Sequence, residues 1–103
     1  MQYIELPDPI MFEWDKGNGE KNWMKHQVSI QECEEAVQSE DVFIQPDRLH
    51  TGIERRYILI GQTKQHRHLF IVFTLREGCI RIISARNMHK KEVKFYEKKA
   101  CIA

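Results

Sequence analysis

The stretch that most constrains the fold is residues 79–86, Cys-Ile-Arg-Ile-Ile-Ser-Ala-Arg. Its isoleucines favour a β-strand, and alternation along a strand divides its side chains between two faces. The two faces would be formed by Ile80, Ile82 and Ser84 and by Arg81, Ile83 and Ala85. Both are largely apolar, which predicts a strand inside an antiparallel sheet rather than at its edge.

Arg81 within this strand and Arg86 at its end are the first functional candidates, because solubility does not require arginine there. A guanidinium held by a rigid sheet can bind an oxyanion through two parallel donors, which a lysine cannot do as specifically. The alternative is that both arginines pair with glutamates at a solvated edge, as most charged side chains stay exposed.

Length and composition describe a single globular domain. The chain has 103 residues, of which 42% are hydrophobic and 30% charged, and no apolar run is long enough for a membrane span or a signal peptide. We therefore expect a cytoplasmic protein without membrane contact.

The three cysteines, Cys33, Cys79 and Cys101, are an odd number without C-x-x-C spacing, and the histidines at 50, 66 and 68 have no matching ligands. We expect reduced thiols, no metal and no cofactor.

Charge is divided unevenly along the chain. Residues 1–54 hold 4 Lys/Arg and 12 Asp/Glu, a balance of −8, whereas residues 55–103 hold 12 Lys/Arg and 3 Asp/Glu, a balance of +9. If the halves do not interleave, one surface is strongly positive and favours phosphate backbones or an acidic partner. The alternative is mutual neutralisation of acidic helices and basic strands.

Local signals predict an α+β domain with the element order β-α-α-β-β-β-β-α. Pro7 and Pro9 make residues 1–10 an irregular arm, and residues 11–103 form the domain. Asp15 is a helix N-cap, and Ser29 and Glu32 form a capping box. The predicted elements are a strand at 12–14, a helix at 16–26, a helix from 30, strands at 42–44, 56–60, 69–75 and 79–86, and a helix at 88–100 capped by Asn87. We expect the helices to cover one face of an antiparallel sheet.

A family resemblance is carried by motifs in a fixed order over roughly residues 11–98. The motifs are Phe-Glu-Trp-Asp at 12–15, Asn22-x-x-Lys25-His26 before Val28-Ser29, Asp47-x-x-His50-x-x-x-Glu54-x-Arg56-Tyr57, Ile60-Gly61, Val72-Phe73-Thr74-x-Arg76, residues 80–86, Lys91-Glu92 and Tyr96-Glu97. Together they resemble the BrnT toxins. Gln27 departs from the glycine that is more usual after the Lys-His pair, and it must adopt or avoid a turn that glycine accepts freely.

The resemblance implies a RelE-like ribonuclease fold and a toxin of a type II toxin-antitoxin pair that cleaves RNA and arrests translation. It further implies neutralisation by a BrnA-like antitoxin with a ribbon-helix-helix part, encoded beside the toxin. Operator DNA would be bound through the antitoxin, since this chain shows no recognition helix. The rival function is a catalytically inactive nucleic-acid-binding or scaffolding domain of a repressor complex.

RNA cleavage without a metal needs a base, an acid and positive charge beside the phosphorane. The candidates for charge are Arg56, Arg76, Arg81 and Arg86, with Lys90 and Lys91 as further RNA-binding residues. The candidates for proton transfer are Lys25, His26, His50 and Glu54, among which the sequence does not choose. His26 has the alternative role of ending its helix.

Overall fold

The computed structural model describes residues 5–48 and 54–100. Its elements in chain order are α1 (Lys16–His26), α2 (Ile30–Val37), β1 (Phe43–Pro46), β2 (Tyr57–Gln62), β3 (His68–Arg76), β4 (Cys79–Asn87) and α3 (Lys90–Lys99). The predicted α+β class and the run of four strands between helices are confirmed. The predicted strand at 12–14 is wrong, because Phe12 makes only an isolated parallel bridge to Ile80.

The four strands form one antiparallel sheet in the order β1-β2-β3-β4. The prediction that β4 lies in the interior is therefore wrong, since β4 is an edge strand of this sheet. Near the start of β4, one residue pairs with backbone on the outer side of the strand. Ile80 accepts from the Glu13 N–H (2.9 Å) and donates to the Met11 carbonyl (2.7 Å).

Two asparagines of α1 bind further backbone groups of this edge. The Ala85 N–H donates to Oδ1 of Asn22 (3.0 Å), and Nδ2 of Asn18 donates to the Ile82 carbonyl (3.2 Å). Both side chains are buried, with Asn22 only 2% exposed. A buried backbone group without a partner is costly, so α1 replaces the fifth strand that the edge lacks.

A bulge in β4 changes which residues share a face. Val72 pairs with Ser84 and Phe73 with Ile82, which leaves Ile83 without a partner in β3. The predicted alternation is therefore wrong beyond Ile82, and Ala85 joins Ile82 in the core. The bulge also places Arg81 and Arg86, five residues apart, on the same outer face, because one extra residue reverses the alternation.

The main core lies between the sheet and α2. Cys33, Ala36 and Val37 of α2 are buried against inward-facing residues of β2, β3 and β4. Gly61 permits this close approach, because a Cβ there would lie 2.7 Å from the Ala36 carbonyl oxygen. Ile30, the first residue of α2, lies outside this core and is 42% exposed.

The third helix packs on the opposite face of the sheet, so the expectation that helices cover one face is wrong. Tyr96 and Met88 form a second core with Ile60 and, at its margin, Phe70. α3 begins after His89 rather than after Asn87, because Asn87 pairs with Leu69 as the last residue of β4.

Arg67 joins the ends of four elements. Its Nε donates to Oδ1 of Asn87 (2.7 Å), and its two terminal nitrogens donate to the carbonyls of Gln27 (2.8 Å) and His26 (3.2 Å) and to the Glu32 carboxylate (2.9 Å). Gln27 does adopt the left-handed conformation, with φ 57° and ψ 37°. The guanidinium thus binds the last carbonyls of α1 where the chain turns.

We expect Asn22→Ala to lower the free energy of unfolding by about 1–3 kcal/mol, because the buried Ala85 N–H would lose its acceptor. Urea unfolding measures this change. The control is Gln31→Ala, which removes an exposed amide that is hydrogen-bonded to Glu35. Equal stability of the two variants would show that the α1 asparagines do not hold the edge of β4.

Candidate functional site

The outer face of the sheet, opposite α2, carries side chains in cross-strand rows. One row contains Thr74 of β3, which pairs with Arg81 of β4. Arg56 directly precedes β2, and by the strand register it lies opposite Thr74 on the other side. Oγ1 of Thr74 donates to the neighbouring Arg55 carbonyl (2.9 Å). We call Arg56, Thr74 and Arg81 the arginine row.

The arginine row forms the floor of a cleft of about 630 Å³ that extends around the edge of β4 to the first turns of α1. We call it the arginine cleft. Its charged lining residues are Lys16, Lys21, Arg56, Arg76 and Arg81, with Asp15 and Glu54. Five cationic and two anionic side chains give it a net positive charge, which suits an anionic ligand.

Arg81 is largely enclosed, with 21% of its side chain exposed. It contacts Oδ2 of Asp15 (2.7 Å) and Oε1 of Glu13 (2.9 Å). Its hydrogen bond to Asp15 raises the pKa of the guanidinium. The pKa of Asp15 is lowered by the Asn18 N–H at the start of α1 and by Arg81, so this carboxylate stays ionised.

Arg76 and Glu54 form an ion pair with two hydrogen bonds. Nε of Arg76 lies 2.6 Å from Oε1 of Glu54 and Nη2 lies 3.2 Å from Oε2. The hydrogen bond from Arg76 lowers the pKa of Glu54, and the charges of Arg81 and Arg56 lower it further. Glu54 is therefore a carboxylate at neutral pH, held in one orientation by a two-donor partner.

Arg56 differs from the other two arginines of the cleft. Within residues 5–48 and 54–100, no carboxylate oxygen lies within 4.0 Å of its guanidinium. The Arg76 pair is largely exposed, with 45% and 43% of the two side chains accessible, and exposed pairs are weak. An incoming anion therefore meets no carboxylate of the described residues at Arg56, whereas Arg76 is paired with Glu54.

Arg86, Lys90 and Lys91 lie outside the arginine cleft. Arg86 forms a two-donor ion pair with Glu92 (2.8 and 3.0 Å), and its Cζ lies 3.9 Å from the centroid of the Phe70 ring. It thereby ties β4 to α3. Lys90 and Lys91 are exposed in the first turn of α3.

Lys25 and His26 lie at the opposite end of α1 from the cleft. The His26 carbonyl is bound by Arg67, which also holds Asn87 at the far end of β4. Neither side chain lines the cleft. His50 lies outside the described residues. Of the residues predicted for the site, the structure therefore brings together Glu54, Arg56, Arg76 and Arg81.

Sequence reasoning missed Lys16, Lys21 and the acids that face Arg81. They reach the cleft only because α1 lies along β4, a tertiary contact without a local sequence signal. The buried asparagines at 18 and 22, four residues apart on one helix face, were the available hint.

Within the described parts of the chain, no group of three His, Cys, Asp or Glu side chains is placed to hold a metal, and no helix is long and apolar enough to cross a bilayer.

Fold and site together define a small α+β protein whose antiparallel sheet carries a cationic cleft with fixed carboxylates on its outer face. The sequence model of the BrnT family, described as ribonuclease toxins of type II toxin-antitoxin systems, matches residues 14–92. The chain belongs to this family, and the family implies an antitoxin partner. No curated protein matches the chain with significant similarity.

We expect Arg76→Gln to raise the pKa of Glu54 toward its ordinary value of 4.5, because the hydrogen bond from Arg76 is the largest cause of its lowering. Side-chain carboxyl NMR measures the titration. Arg55→Gln, which removes an exposed neighbouring arginine outside the cleft, is the control and should leave this pKa nearly unchanged. A Glu54 pKa that does not respond to Arg76→Gln would contradict the pairing.

Proposed function

We propose that this protein is a metal-independent endoribonuclease that cleaves RNA in the arginine cleft and thereby arrests translation. The observation that carries the proposal is the convergence of the arginine row with the Arg76–Glu54 pair in one open, net positive cleft. Family membership supports ribonuclease activity in general.

In the proposed reaction the ribose 2′-hydroxyl oxygen attacks the adjacent phosphorus atom. The 2′-hydroxyl loses its proton to a base, the bond to the 5′-oxygen breaks, and that oxygen takes up a proton. The products are a 2′,3′-cyclic phosphate and a 5′-hydroxyl end. Arg56 and Arg81, on either side of Thr74, would donate to the non-bridging oxygens, where negative charge develops.

Glu54 is the proposed base. It is ionised, it lies in the cleft, and Arg76 fixes its orientation. A lowered pKa makes it a weak base, so most of the rate acceleration must come from the arginines. Lys16 and Lys21 lie on the α1 side of the cleft, where flanking phosphates of a single strand would pass.

The proposed partner is a BrnA-like antitoxin with a ribbon-helix-helix part, through which the pair would bind operator DNA. The family supports the existence of an antitoxin. The antiparallel sheet and its flanking helices are consistent with the RelE-like fold that we propose. A positive cleft on the outer face offers an acidic antitoxin segment a charge-complementary surface.

A second candidate is a domain that binds RNA without cleaving it. The observation in its favour is that Arg76 and Arg81 are both paired with carboxylates of the same chain, which compete with phosphate. Under this alternative the cleft retains RNA affinity while cleavage is absent.

Purified protein should cleave RNA in the presence of EDTA and leave the all-deoxy strand of the same sequence intact, because the nucleophile is the 2′-hydroxyl. Glu54→Gln should lower kcat/KM by about 10²–10⁴-fold, the usual contribution of a general base. The matched control is Glu77→Gln, an exposed glutamate in the β3–β4 turn.

The pH dependence of kcat/KM identifies the base. Because the pKa of Glu54 is lowered from 4.5, the activity should fall on the acid side only below about pH 4.5. An acid limb near pH ~6.5 would assign the base to a histidine, for which His50 is the candidate to replace. Binding without cleavage, or cleavage that EDTA abolishes, would contradict the proposed enzyme.

A further inference from the structure

A second concave surface lies on the outer face of the sheet, between α3 and the strands. Its volume is about 450 Å³, and its principal lining residues are Ile58, Ile60, Phe70, Lys91, Phe95 and Lys99. We call it the α3 groove. Its floor is apolar, and Phe95 at its margin is 54% exposed, the kind of surface that proteins use for interaction.

The basic rim of the groove comes from one stripe of α3. Lys91, Phe95 and Lys99 follow each other at intervals of four residues and so lie on the same side of the helix. Lys94 belongs to a different stripe and does not line the groove. Glu92, the acidic residue at the groove, is already paired with Arg86 (2.8 Å).

We propose that the α3 groove is the anchoring site of the antitoxin and that it binds a segment carrying aliphatic side chains flanked by carboxylates. The aliphatic groups match Ile58 and Ile60, and the carboxylates match the exposed Lys91. The inference rests on the proposed function for the partner's role but not on catalysis by this chain.

The groove suits a polypeptide better than RNA bases, because two of its three aromatic rings, those of Phe43 and Phe70, already contact other side chains. Arg86 covers the face of Phe70 at 3.9 Å, and Phe43 makes an edge contact with Tyr96 at 5.8 Å between centroids. Base stacking needs a free ring face, whereas an aliphatic floor accepts leucine or isoleucine.

The groove and the arginine cleft lie side by side on the outer face of the sheet. The row of Ile58, Val72 and Ser84, which are paired across the sheet, lies between the row of Ile60 and Phe70 and the arginine row. From Ile60 in the groove to Arg56 in the cleft the distance along one strand is about 13 Å, at ~3.3 Å per residue. A segment anchored in the groove therefore needs about four extended residues to cover the cleft. Affinity would come from the groove and inhibition from the extension.

The test uses the polypeptide encoded beside this chain, purified separately, and measures its affinity by calorimetry without RNA. We expect Phe95→Ala to weaken binding at least about tenfold, because an exposed aromatic anchor is removed. The matched control is Trp23→Ala, which truncates a similarly exposed aromatic side chain (50%) in the apolar surface between α1 and α2. Trp23→Ala should bind like the wild type.

A second pair of variants tests the charge. Lys91→Glu should weaken binding about tenfold, and more at low salt, because it opposes the carboxylates of the partner. Lys94→Glu makes the same charge change on the same helix outside the groove and should have a much smaller effect. Both groove variants should retain the wild-type melting temperature, and Phe95→Ala should also retain any RNA cleavage that the wild type shows.

Several results would overturn the inference. One is that the polypeptide forms no complex with the wild-type chain, or binds both groove variants with wild-type affinity. Another is that Trp23→Ala, rather than the groove variants, abolishes binding. The remaining two are that Phe95→Ala lowers RNA affinity, or that it abolishes a self-association of this chain. Because binding is measured without RNA, a chain that binds the partner through the groove and cleaves nothing would contradict the proposed enzyme alone.

Discussion

The hydrogen bonds between the backbone of β4 and the side chains of Asn18, which donates, and Asn22, which accepts, are the constraint on which the site depends. An edge strand needs partners for its free N–H and carbonyl groups, and α1 supplies them with side chains. This contact fixes the helix along the strand. The start of α1 then lies beside Arg81, where Asp15 caps the helix and pairs with the arginine at 2.7 Å. The contact of α1 with β4 therefore covers the edge of the sheet and also forms one wall of the cleft.

Some charged side chains of this protein are paired with each other, and others remain exposed on its surface. The acidic first half does pair with the basic second half, through Glu32 with Arg67 and Asp15 with Arg81. The pairing is incomplete, because Arg56 has no carboxylate within 4.0 Å in the described part of the chain and Lys91 remains exposed on α3. The outer face therefore presents a basic cleft and a basic-rimmed groove, while the carboxylates in the cleft orient the arginines.

Local sequence signals predicted most of the elements. The caps at Asp15 and Ser29 and the helix at 16–26 are confirmed, since each depends on residues close in sequence. The edge position of β4 and its bulge at Ile83 were not predictable, because they depend on which strands pair. Arg86 resembled Arg81 in the sequence, yet it stabilises α3, since Glu92 and Phe70 meet it only in the folded chain.

The central claim is that the arginine row binds the phosphate at which RNA is cleaved. Arg55 and Arg56 are adjacent arginines, of which only Arg56 lines the cleft. Single-turnover cleavage of one RNA by Arg56→Gln and by Arg55→Gln is therefore the most direct measurement. We expect Arg56→Gln to slow cleavage by about 10²-fold or more, which is the loss typical of removing a donor to the developing charge. Arg55→Gln should change the cleavage rate little. Equal rates for the two variants would contradict it.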